Sequence, residues 1–69
     1  MTIAKTVLNA QQNDSNLIMD YCDEHGVDFE DDYSNDLRIY KFTDGSELEE
    51  CNGCFTVYFY KDGERIEDK

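Results

Sequence analysis

The sequence predicts an α+β domain in which an N-terminal helix or helices pack on one face of a small antiparallel β-meander. Three observations carry this expectation. An apolar repeat at helical spacing runs between Asn13-Asp14-Ser15 and Gly26. Beyond it, the turn dipeptides Asp44-Gly45, Asn52-Gly53 and Asp62-Gly63 punctuate the chain, and the runs between them are rich in Ile, Val, Tyr and Phe. Asn-Gly and Asp-Gly both tolerate the positive φ values of a type I′ turn, whose twist suits a two-residue hairpin.

Each element follows from its residues. Ile3, Ala4, Val7 and Leu8 repeat at i, i+4 and favour a short helix, with a strand through Thr6-Val7-Leu8 as the alternative. Asp14 to His25 reads as a helix, because Leu17, Ile18, Tyr21, Cys22 and His25 fall on one stripe. Asn13-Asp14-Ser15 offers N-cap chemistry, and Gly26 suits a left-handed position just past the end. The three turns then predict four strands. Two-residue turns place Cys51 opposite Cys54, Leu48 opposite Val57 and Phe59 opposite Ile66. Leu48, Phe55, Val57, Phe59 and Ile66 share the face that should receive Leu17, Ile18 and Tyr21, while Glu47, Glu49, Thr56, Tyr58 and Tyr60 take the other. A two-residue turn at Asp44-Gly45 sets Lys41 against Leu48, so a bulged loop that turns Tyr40 and Phe42 inward is expected there instead.

Length and composition limit what such a domain does. With 69 residues, no Pro and no Trp, the chain is one domain spanning 1–69. A chain of this size buries only about 60% of its unfolded surface, enough for one thin core and a poor basis for a deep catalytic pocket. The longest apolar run, Cys54 to Tyr60, falls far short of a bilayer span, and the residues after Met1 do not form a secretory leader. Three cysteines cannot all pair within one chain, which fits a reducing compartment, and a cytoplasmic location is expected.

Charge is the most distinctive feature. Seventeen acids against six bases give a net charge of −11, more than solubility asks of a small domain. The anions are concentrated. Asp14, Asp20, Asp23, Glu24, Asp28, Glu30, Asp31, Asp32 and Asp36 occupy 23 residues that contain no Lys or Arg. Direct contact with nucleic-acid phosphates or anionic membranes is disfavoured, since both require a basic face. A basic protein surface is instead attracted and steered.

Two cysteine motifs invite a metal reading. Cys22-Asp23-Glu24-His25 and Cys51-Asn52-Gly53-Cys54 together make up the ligand set of a Cys₃His zinc site, and a small domain gains from such a staple. The alternative places Cys22 as a small apolar residue on the buried stripe. A redox role for Cys51 and Cys54 is disfavoured by the neighbouring Glu49 and Glu50, which do not lower a thiol pKa. Asp28 to Tyr33 suggests a calcium loop, but Tyr33 and Ile39 stand where an EF-hand needs Gly and Glu. No nucleophile motif surrounds His25, Ser15, Ser34 or Ser46, and the expectation is that the protein is not an enzyme.

In size, acidity and lack of catalytic motifs the chain resembles small phage-encoded inhibitors, including anti-CRISPR proteins and other DNA mimics. The resemblance is to a class, with no signature string. It implies an inhibitor of a basic nucleic-acid-binding protein or complex, acting in a host cytoplasm, with carboxylates standing in for phosphates and no cofactor. Asp14, Asp20, Asp23, Glu24, Asp28, Glu30, Asp31 and Asp32 would form the contact set, with Tyr40, Tyr58 and Tyr60 as aromatic contacts from the strands. The competing expectation is a zinc-stabilised interaction module built on Cys22, His25, Cys51 and Cys54.

Overall fold

The computed structural model describes residues 1–69 and has two helices followed by five strands. These are α1 (Ile3–Ala10), α2 (Ser15–Glu24), β1 (Asp28–Asp32), β2 (Leu37–Lys41), β3 (Glu47–Cys51), β4 (Cys54–Lys61) and β5 (Glu64–Glu67). The strands form one antiparallel meander in the order β1-β2-β3-β4-β5. The α+β class, the helix over residues 3–10 and the last four strands are as the sequence predicts.

The helix ends explain why α2 begins and stops where it does. Asp14 is its N-cap, and Oδ1 accepts hydrogen bonds from the amides of Asn16 and Leu17. At the other end Gly26 adopts φ +65°, the Val27 amide donates to the Cys22 carbonyl and the Gly26 amide donates to that of Asp23. That pair of bonds is the Schellman closure, which leads the chain directly into β1.

The N-terminus of α1 is satisfied from three directions. The Ile3 amide donates to Asp44 Oδ2 at 2.9 Å, the Ala4 amide to Ser46 Oγ at 3.1 Å and the Lys5 amide to Thr2 Oγ1 at 3.1 Å. The β2–β3 loop therefore caps the helix across a separation of some forty residues, accounting for amides that the helix itself leaves unpaired. Burial alone would raise the Asp44 pKa. The amides of Ile3 and Ser46 and the Ser46 hydroxyl outweigh it and hold the carboxyl below its ordinary value.

Hairpin registers follow turn chemistry. Asn52-Gly53 has φ values of +50° and +82°, and Asp62-Gly63 has +53° and +82°, the positive pairs of type I′ turns. Cys51 faces Cys54, Leu48 faces Val57 and Phe59 faces Ile66. At Asp44-Gly45 the loop has three residues instead. Phe42 donates to the Ser46 carbonyl, Gly45 sits at φ +86° and Tyr40 pairs with Leu48. The one-residue shift turns Tyr40 and Phe42 into the core, as the bulged alternative requires.

One cluster of Ala4, Val7, Leu8, Ile18, Cys22, Tyr40, Phe42, Leu48 and Val57 forms the core. α1 lies over β3 and β4. Two expectations change. Leu17 is exposed, so that Ile18 and Cys22 carry the buried stripe of α2, and Phe59 and Ile66 are only half-buried because α1 is too short to cover β5. A fifth strand, β1, also forms from the acidic segment. It pairs with β2 so that Asp31 faces Arg38 and Asp28 faces Lys41. Phe29 and Tyr33 in and beside this strand are exposed. Backbone pairing and the cations of β2 hold it in place.

Candidate functional site

The anions of the middle third lie on α2, on β1 and on the connections beside them. Helical spacing brings Asp20 and Asp23 to one side of α2, where both line a cleft of about 460 Å³ opposite Asp28 and Phe29 at the start of β1. A second cleft, also about 460 Å³, continues past Met19 toward the β1–β2 turn and is lined by Ser15, Asp31, Asp32, Asp36 and Glu50 among others. Met19, Arg38 and Tyr40 line both. The two clefts are halves of a single groove between α2 and the inner face of β1 and β2.

Arg38 forms the waist of that groove. Its Nε and Nη2 donate to Oδ1 and Oδ2 of Asp31 at 2.6 and 3.1 Å, the forked geometry that makes guanidinium–carboxylate pairs strong. Nη1 reaches Met19 Sδ at 3.6 Å, and the guanidinium carbon lies 4.7 Å from the centre of the Phe29 ring. The hydrogen bond from Arg38 holds the Asp31 carboxyl below its usual pKa, and the same bond raises that of Arg38.

Beneath Arg38 lies Tyr40, 1% exposed, with no hydrogen-bond partner for its hydroxyl. Burial raises the pKa of that hydroxyl, and the close guanidinium of Arg38, through hydrogen bonding and charge, opposes the rise. No N–H group of Arg38 meets the oxygen in hydrogen-bonding geometry. Arg38 is therefore the nearest polar neighbour of this hydroxyl, close enough to act on it without ideal alignment.

The remaining candidate residues separate by location. Asp20, Asp23 and Asp28 share one half of the groove, and no Lys, Arg or His pairs with them. Asp31 is tied to Arg38, and Glu30 pairs with Lys41 at 2.9 Å on the opposite face of the sheet. Asp14 is engaged in capping α2, Asp32 accepts from Ser34 and Asn35 within the β1–β2 turn, and Glu24 is exposed at the end of α2 outside both clefts. The eight acids thus do not form one uninterrupted ridge. Asp20 and Asp23 lie together on α2 without an ion pair, Asp28 begins β1 on the face that it shares with Glu30, and the others are distributed around them.

Among the tyrosines, Tyr40 cannot be a surface contact, because the shifted β2–β3 register that the Gly45 loop imposes buries it. Tyr58 lies under Arg65, whose guanidinium carbon is 3.6 Å from the ring centre, and Arg65 in turn holds Glu47 and Glu49 at 3.1 and 3.0 Å. Tyr60 is half-exposed beside Glu47 on the same open face.

The zinc set does not assemble. Cys22 is buried beneath the helices, and its thiol is pushed by burial up to about 11, whereas Cys51 and Cys54 face each other on the uncovered side of the sheet. Strand alternation likewise sends Asp28, Glu30 and Asp32 to one face and Asp31 to the other, which undoes a calcium loop. No group of three or more His, Cys, Asp or Glu residues comes together in a metal-holding arrangement.

Sequence reasoning missed Met19, Phe29 and Arg38 as groove residues. Met19 and Phe29 are 42% and 52% exposed, large apolar side chains among acids. Their signal was the second strand: once Asp28 to Asp32 is paired to β2, Phe29 and Arg38 must share a face. No helix is long and apolar enough to cross a membrane. No family model, curated protein or solved structure matches the chain.

Proposed function

We propose that this protein is an acidic inhibitor that binds a basic, nucleic-acid-binding surface of a partner protein and competes there with DNA or RNA. The observation that supports the reading is the groove half lined by Asp20 and Asp23, neither of them ion-paired, and flanked by exposed Met19 and Phe29. Carboxylates on a capped helix and a paired strand present fixed negative charge, so a partner's Lys and Arg side chains meet acceptors whose ordering is already complete. The apolar side chains add contact that phosphates do not offer, which lets such a protein hold the surface rather than merely screen it.

Ion pairing within the chain leaves the field largely intact. Arg38, Lys41 and Arg65 engage four of the seventeen carboxylates, which leaves thirteen against three lysines. The proposed partner is a protein and not a nucleic acid or a membrane, the proposed setting is cytoplasmic, and the class resemblance to phage-encoded inhibitors implies a target in a host cell. No reaction and no cofactor are assigned.

Affinity capture at low and high salt, followed by challenge of the captured complex with a short nucleic-acid duplex, tests the reading. A basic nucleic-acid-binding protein should be retained at low salt, released at high salt and displaced by the duplex. A partner held equally well at both salt concentrations, or one that carries duplex and inhibitor together, contradicts it.

A further inference from the structure

We infer that Cys51 and Cys54 are a reversible modification site: on exchange with a small-molecule disulfide of the glutathione type, the two thiols close into a cross-strand disulfide that clamps the β3–β4 hairpin. The site lies on the uncovered face of the sheet and is independent of the binding role proposed for the α2 half.

The hairpin places the pair. Asn52 and Gly53 take φ values of +50° and +82°, so the turn uses only these two residues and sets Cys51 directly opposite Cys54. Directly opposed residues of an antiparallel pair point to the same face, with Cα atoms about 4.5–5.5 Å apart, inside the roughly 4.4–6.8 Å that a disulfide accepts. Strand alternation puts both on the face opposite the core residues Leu48 and Val57. Cys54 is exposed, Cys51 is half-buried, and both thiols are free. The third thiol is out of reach. Cys22 belongs to the core on the other side of the sheet, where burial pushes its thiol up to about 11.

The difference in exposure orders the steps. The Cys54 thiolate attacks one sulfur of the small-molecule disulfide, which forms a mixed disulfide and releases one thiol. The Cys51 thiolate then attacks the Cys54 sulfur, closes the protein disulfide and expels the second thiol. Two protein thiols are oxidised, one external disulfide is reduced to two thiols, and the two protons that leave the cysteines end on the released thiols. Glu49 and Glu50 beside Cys51 do not activate a thiol, so the pair is a slow lock and not a dithiol catalyst. The closed ring spans only Cys51 to Cys54, so the bond gains little from chain entropy and an excess of free thiol reopens it.

The test exposes the isolated full chain to a buffer of oxidised and reduced glutathione at about pH 8 and reads intact mass, followed by thiol alkylation in urea and peptide mapping. The folded chain should lose about 2 Da, the two hydrogen atoms of the reaction, and alkylation should then label Cys22 alone. The closed form should exceed the singly glutathionylated one roughly tenfold or more, because the second thiol is already in place. Excess reduced glutathione should return all three thiols. Cys51→Ser should stop at a stable adduct on Cys54, a gain of about 305 Da. The same exchange on the chain unfolded in urea separates the hairpin from mere closeness in sequence. At one glutathione ratio the folded chain should hold several-fold more closed disulfide. Three thiols left free, equal closure in the folded and unfolded chains, an adduct on Cys54 that persists in the parent chain, disulfide-linked dimers as the main product, or a bond that includes Cys22 would overturn the proposal.

Discussion

The two ends of the helical layer treat their polar groups in opposite ways. Where α1 meets the β2–β3 loop, the first amides of the helix find Asp44, Ser46 and Thr2, and Ser46 is buried with both its donor and acceptor functions used. Where α2 meets β1 and β2, the Tyr40 hydroxyl lacks a well-aligned partner, Asp20 and Asp23 form no ion pair, and Met19 and Phe29 stay exposed. One half is closed on itself. The other carries unmet hydrogen-bonding, charge and apolar capacity together, which is what a contact surface has before its partner arrives. The α1 half carries the more fully satisfied contacts, and recognition is the role proposed for the α2 half.

Perturbations should therefore differ in kind between the two. The largest loss is expected at Leu48, fully buried at the centre of the sheet between Tyr40 and Val57. Leu48→Ala should cost about 2–5 kcal/mol, a large share of the stability of so small a domain, and urea unfolding followed by circular dichroism would register it. A Leu48→Ala protein as stable as the parent would mean that the core does not lie where the α1 half places it.

An intermediate loss is expected at the α1 cap. Ser46→Ala leaves the buried Ala4 amide without its acceptor and should cost about 1–3 kcal/mol. The cap also has a pH signature. Because the Asp44 carboxyl is held below its ordinary pKa, its ionised form favours the folded state. Its contribution is complete above the unfolded value of about 4 and is lost as pH falls through the lower folded value. Asp44→Asn should accordingly flatten the acid side of the stability profile. A wild-type profile that stays flat between neutral pH and about pH 3 would contradict the cap as drawn.

The smallest stability change is expected in the α2 half. The Arg38–Asp31 pair is partly exposed, with 32% and 19% of the side chains accessible, and such pairs contribute about 0.2–1 kcal/mol. Arg38→Gln should leave global unfolding nearly unchanged while hastening amide exchange in β1, whose ordering depends on β2. A large global loss would show that the groove is part of the stabilising core and would erase the contrast between the halves.

Much of the fold was legible because its determinants are local. Asn52-Gly53 and Asp62-Gly63 fix their turns within two residues, and Gly26 ends α2 through bonds that reach only three and five positions back. Even the shifted register at Gly45 was foreseeable, since the unshifted one puts Lys41 beside Leu48. β1 was not legible for the converse reason. Asp28-Phe29-Glu30-Asp31-Asp32 has little strand propensity, its turn to β2 contains no Gly and relies on Asp32 bonding Ser34 and Asn35, and its ion-pair partners Arg38 and Lys41 belong to another strand. The groove inherits that difficulty. Its acids could be read from the sequence, but the pairing of β1 that assembles Phe29, Arg38 and Tyr40 beside them could not.

The division of the molecule is tested most directly by two triple variants that remove the same charge from different places. Asp20→Asn/Asp23→Asn/Asp28→Asn removes the acids without ion pairs in and beside one half of the groove, and Asp62→Asn/Glu64→Gln/Glu67→Gln neutralises exposed acids around the β4–β5 hairpin. Binding to the captured nucleic-acid-binding partner is then measured across a salt series. The groove variant should lose roughly tenfold or more in affinity with a flatter salt dependence, while the hairpin variant stays within about twofold of the parent. Equal losses in the two would show that total charge alone drives association and that the α2 half is not the recognition surface.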